Sequence, residues 1–321
     1  MTREEIAHLR AEIGVLRRQL DAIPARARMT RRSTEARLRD LEALVNTEHG
    51  KRPPARVRLS FRGRPVVGAH GIFAAFAAGA IERFSRAVAL LAAGQGGQIA
   101  ARGPIPYRES NELLVVGPTV GSFGFELEEY QPSGAAPDLG FDLPTPVAVA
   151  LEQLQALLAG AAGTDDDLAE AASGIDPRAR GALQEFLSHV AGQGAVCAVE
   201  TGGRAVHFAE VAQVTRAAAR LAEDSVRQTE QVLAGSFQGV LPMRRTFEFR
   251  ETGSEEILGG KLGPAALDPN ELNDHLREET TIRVTATQVG SGKARYTLNE
   301  MPVFGPPDQT PGDRLARNRS E

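Results

Sequence analysis

Five segments decide the fold of the C-terminal part: QVLAGSFQGVLP (231–242), RTFEFRE (245–251), EEILGGKL (255–262), TTIRVTATQV (280–289) and ARYTLNEM (294–301). In the second, Phe247 and Phe249 alternate with Thr246, Glu248 and Arg250. That is the period of a strand with one dry face and one wet face. Ile282, Val284 and Ala286 repeat the pattern in the fourth, and Tyr296 and Leu298 in the fifth. Gly235 and Gly239 let the first segment bend sharply. Between the third and fourth, Asp268-Pro269 supplies a cap and a first-turn proline for a short helix to Arg277. The order β-β-β-α-β-β across 231–304 is that of a five-stranded OB-like barrel, with an SH3-like barrel as the rival. The outward residues Thr246, Glu248 and Arg250 form no basic stripe, so the barrel alone lacks the electrostatic footprint of a nucleic-acid binder. Residues 305–321, rich in Pro, Gly and charge, read as a disordered tail.

Upstream, 147–230 reads as a helical segment interrupted by a β-hairpin. Leu151, Leu154, Leu157 and Leu158 stripe one helix, and Asp176-Pro177 starts another that buries Leu183, Phe186, Leu187 and Val190. The hairpin is AVCAVET–GG–RAVHF, turning at Gly202-Gly203. A helix over 209–230 is expected to follow it. Residues 131–146 are rich in Pro, Gly and Asp and read as a linker.

Residues 55–130 read as an α+β domain with antiparallel strands. VRLSF alternates Val57, Leu59 and Phe61, and a helix follows with Phe73, Phe76, Ala80, Phe84, Val88 and Leu91 at helical spacing. Short strands are expected around 98–101 and 113–117. In VGSFGFELEE, Phe123, Phe125 and Leu127 share one face and Gly124, Glu126 and Glu128 the other. Two glutamates on one face are the elements of an acid/base pair, and so of a hydrolase with an unrecognised carboxylate site. A solvated strand face is the simpler reading.

In residues 1–48, Ile6, Leu9, Ile13, Leu16, Leu20 and Ile23 follow a 3,4 spacing, the seam of a coiled coil. Glu5 with Arg10, and Glu12 with Arg17, fall at positions that bridge two chains. A second helix is expected over 33–46. The seam can pair between chains, giving a homodimer, or fold into a helical hairpin. Arg26, Arg28, Arg31 and Arg32 lie between the helices. They are candidate phosphate contacts in a nucleic-acid reading, or a solvated loop.

Composition sets the outer bounds. The 321 residues suggest two or three domains, and 42% hydrophobic with 24% charged residues is globular. Lys51, Lys261 and Lys293 are the only lysines, a bias toward arginine expected of a high-GC bacterial genome. Residues 1–66 carry 16 basic and 8 acidic residues, and the rest carries 21 and 33. A basic arm on an acidic body suits a nucleic acid, an acidic partner or self-association. One cysteine, Cys197, allows no internal disulfide, and the charged N-terminus is no secretory signal, so a cytoplasmic location without a membrane span is expected. Cys197 reads as a buried hydrophobe despite His207 in the partner strand. GSGKA (290–294) lacks the spacing of a phosphate loop. No metal or cofactor motif is present. The fold expected is therefore α+β and multi-domain. The function expected is a non-enzymatic, dimeric binding or assembly protein, with the nucleic-acid and hydrolase readings as alternatives.

Overall fold

The computed structural model describes residues 3–24, 27–49, 53–68, 70–97, 99–119, 123–131, 144–263 and 268–304. Thr2, Arg26, most of the expected linker and the whole of the expected tail lie outside them. The chain divides into an N-terminal unit and a larger unit that begins at Ala55.

The N-terminal unit holds α1 (Arg3–Ala22) and α2 (Arg28–His49). The short connection forces α2 to fold back along α1, and Ile13 packs on Leu41 with Leu9, Leu16 and Leu38 around them. Arg37 reaches Glu12 at 3.0 Å and Arg17 reaches Glu42 at 2.7 Å. Glu12 and Arg17, expected to bridge two chains, are thus matched within one, and the side chains of Glu5 and Arg10 lie outside the described ones. Helix α2 begins at Arg28, not near Ser33, so Arg28, Arg31 and Arg32 stand on its first turns and not in a loop.

The larger unit opens with β1 (Arg56–Gly63), β2 (Val66–Val67), β3 (Gly71–Ile72), α3 (Ala74–Gly94), β4 (Leu113–Pro118) and β5 (Phe123–Glu129). Then come α4 (Pro146–Ala162), α5 (Asp165–Ala172), α6 (Pro177–Gly192), β6 (Ala195–Thr201), β7 (Arg204–His207) and α7 (Val211–Leu221). No strand forms over 99–101. The segments 55–130 and 147–230, read separately from sequence, share one antiparallel sheet ordered β4-β5-β1-β6-β7. Strand β1 is central: Leu59 faces Phe125 on one side and Val199 on the other. The inward residues Val57, Leu59, Phe61, Leu127 and Val199 meet a helical layer in one core. Within it Phe84 and Phe186 lie edge to face, 5.4 Å apart. Full burial of each such side chain contributes about 1.5–3 kcal/mol.

Side-chain caps fix the helix starts. Thr145 accepts from the Ala148 N–H, Asp176 from the Arg178 N–H, and Thr164 with Asp167 makes a reciprocal capping box at α5.

The rest is β8 (Val226–Leu241), β9 (Thr246–Glu251), β10 (Ile257–Leu262), α8 (Pro269–Asp274), β11 (Glu279–Val289), β12 (Arg295–Leu298) and β13 (Val303–Phe304). Helix α7 stops at Leu221, short of the expected 230, because residues from Val226 pair with β11. The five long strands close into a barrel ordered β8-β9-β10-β12-β11, with β11 returning to β8. All neighbours are antiparallel except β10 and β12. Phe237 centres its core, edge-on to Phe247 at 5.8 Å and to Phe249 at 5.2 Å. Val226 and Val289, at the barrel's lower end, belong to the core of the α+β layer. Barrel and α+β layer are therefore one body.

Candidate functional site

A cleft of about 640 Å³ opens on the barrel wall beside α5. It exists because side chains are missing where three strands run together. Gly239, Glu248 and Gly259 align across β8, β9 and β10. A Cβ on Gly239 or Gly259 would meet nothing within 4 Å. Gly260, next along, is different: its partner is Phe247, whose ring lies where a Cβ would go. Leu241 and Ile257 stand exposed on the same strands. Asn273 of α8 holds one wall by bonding Val240 twice, accepting from its N–H at 3.2 Å and donating to its C=O at 3.1 Å.

The opposite wall is α5. Glu170 receives Lys261 Nζ at 2.7 Å on its carboxylate and at 2.8 Å on its carbonyl. Arg295 Nε is buried 3.2 Å from the other carboxylate oxygen, at an angle that makes no hydrogen bond. The two terminal nitrogens of Arg295 have no partner among the described residues, and the Glu248 carboxylate has none either. The cleft thus offers a free cationic fork and a free acceptor above a floor of bare backbone.

The turn after β11 explains the placement of α5. The Lys293 N–H donates to Asp166 at 2.7 Å, and Asp165 takes Arg220 at 2.8 Å while lying against Gly290. Within GSGKA the Lys293 amide is thus satisfied by a carboxylate of the same chain and the Gly292 amide by the Val289 carbonyl. The DDD run that caps α5 also docks the barrel.

The residues singled out from sequence lie elsewhere. Glu126 and Glu128 point away from the helical layer and share Arg56, at 3.7 and 2.5 Å. That is an ion-paired strand face. His207 stands opposite Ala198, not Cys197. Burial pushes the Cys197 thiol up to about 12, so it is no nucleophile at neutral pH. Arg31 pairs with Glu35 at 3.2 Å, Arg32 is exposed, and the side chain of Arg28 lies outside the described ones. Of the heptad seam, Ile13 is buried, Leu9, Leu16, Leu20 and Ile23 are half-buried, and the side chain of Ile6 lies outside the described ones. Among the described residues no three His, Cys, Asp or Glu converge as metal ligands, and no helix is long and apolar enough to cross a membrane. Sequence reading missed the cleft. Its one visible signal was the pair of glycines in EEILGGKL, where a strand has no local need for them. No family model, curated protein or solved structure matches this chain.

Proposed function

We propose that the protein is a non-enzymatic binding and assembly protein of the cytoplasm, whose helical hairpin joins copies of the chain and whose larger unit presents a surface to a protein partner. One observation carries this reading. Two helices alone bury too little of their own seam: Ile13 and Leu41 are covered, but Leu9, Leu16, Leu20, Ile23 and Leu38 are only half-buried. An apolar stripe needs a second layer. A second hairpin provides one and completes a four-helix bundle, which replaces the two-stranded coil with an arrangement compatible with the internal Glu12–Arg37 and Arg17–Glu42 pairs.

We read the barrel as OB-type. Its strand order, the parallel third and fifth strands and the helix between the third and fourth support that over an SH3-like barrel. The nucleic-acid reading is the weaker one. The face such barrels use is walled by α5, which brings Glu170 beside Glu248 in its lining, and those charges repel phosphates. Light scattering on the whole chain tests the assembly reading. A dimer mass is expected, and a monomer at every concentration would sink it.

A further inference from the structure

We propose that the barrel cleft binds an extended peptide segment of a protein partner that brings an acidic side chain to Arg295. This deepens the binding half of the function proposed above and is independent of the assembly half. The volume suits a specific ligand. The floor at Gly239 and Gly259 is backbone without side chains, with Leu241 in the lining and Ile257 exposed two residues along β10 from Gly259. A flat strip bordered by aliphatic side chains accommodates an extended chain whose apolar residues fall to either side.

The charges select the ligand further. Glu170 takes Lys261 on one carboxylate oxygen and faces only the Nε of Arg295 with the other, so the two terminal amino groups of Arg295 remain for a carboxylate, in the bidentate geometry a guanidinium favours. A simple polyanion is disfavoured by Glu170 and Glu248 in the same walls. A peptide has what Glu248 needs, because its N–H groups can donate to that carboxylate while its acidic side chain meets Arg295. Occupant and cleft are complementary in both signs.

Randomised short peptides displayed on phage are panned against the full-length protein, and the enriched sequence is synthesised and titrated calorimetrically. Enrichment of Asp or Glu beside aliphatic or aromatic residues is expected. Arg295→Gln leaves Glu170 paired with Lys261 and should weaken the peptide by about tenfold or more. Gly259→Leu and, independently, Gly239→Leu build a side chain from a Cβ that meets nothing within 4 Å and should abolish binding while the circular dichroism spectrum is unchanged. Enrichment of no sequence, enrichment of sequences without an acid, or affinity unchanged in Arg295→Gln overturns the proposal. So does displacement of the peptide by a single-stranded oligonucleotide. A monomeric protein that still binds the peptide would refute the assembly reading alone.

Discussion

Ser173 Oγ and Thr297 Oγ1 lie 2.9 Å apart at the junction of α5 with β12, both nearly sealed from water. Each hydroxyl is the other's partner, so removing one orphans the other. Ser173→Ala or Thr297→Val alone should cost about 1–3 kcal/mol. The double variant should cost less than the two single losses combined, because no hydroxyl is left unpaired. Chemical denaturation of the four proteins gives the coupling, and strict additivity would show that the contact carries nothing.

Adjacent glycines of β10 should respond oppositely. A Cβ on Gly260 lands in the Phe247 ring and 2.9 Å from the Tyr296 carbonyl oxygen, whereas one on Gly259 meets open space. Gly260→Ala should destabilise by about 1–3 kcal/mol through overpacking. Gly259→Ala should be neutral or slightly stabilising, since it lowers the freedom of the unfolded chain. Equal melting temperatures for the two variants would refute this account of the barrel wall.

How much of this was legible beforehand depended on whether the signal was local. The barrel strands were, because Phe247 and Phe249, or Ile282 and Val284, declare their inward face by alternation within one segment. Joining β1 to β6 was not. Leu59 and Val199 pair across a long stretch of chain, and any alternating strand offers the same edge. The end of α7 was missed because residues after Ala222 carry no helix breaker. Only pairing with β11 makes them strand. Asp165 and Asp166 stand in the first turn of α5, and no pattern in DDD announces a turn docked on it from over a hundred residues away. The heptad seam was visible, yet a stripe of Leu and Ile says only that it must be covered, not by which helix.

Cys197 makes a pH prediction with a definite sign. Burial raises its pKa from the ordinary value of 9.0 to about 12, so the thiol stays protonated in the folded protein after it would ionise in the unfolded chain. Between those values the unfolded state binds fewer protons. The stability associated with this group is complete below about pH 9 and falls as pH rises toward 12, by up to about 1.4 kcal/mol per unit. Cys197→Ala should flatten that part of the profile relative to the parent. Iodoacetamide at pH 8 should label the parent only after denaturant is added. Rapid labelling of the native protein would show the site to be open.

Arg180 tests whether a buried charge stabilises this fold. Its side chain is 2% exposed, its Nε donates to the Leu221 carbonyl at 3.3 Å, and its Nη1 has no hydrogen-bond partner among the described residues. Desolvation pulls the guanidinium pKa down, and the charges of Glu223 and Asp176 oppose that pull. A buried ion with an unsatisfied donor loses hydration that its partners only partly replace, whereas a long apolar side chain fills the same space without that loss. Arg180→Met should therefore be neutral or stabilising, by up to a few kcal/mol. Glu223→Gln should destabilise, because it leaves the cation buried with less compensation. Arg180→Ala should destabilise as well, through lost volume between α6 and α7. Thermal unfolding of the three variants decides the matter: a large loss in Arg180→Met would mean that the charge itself, and not the packing of its stem, holds the two helices together.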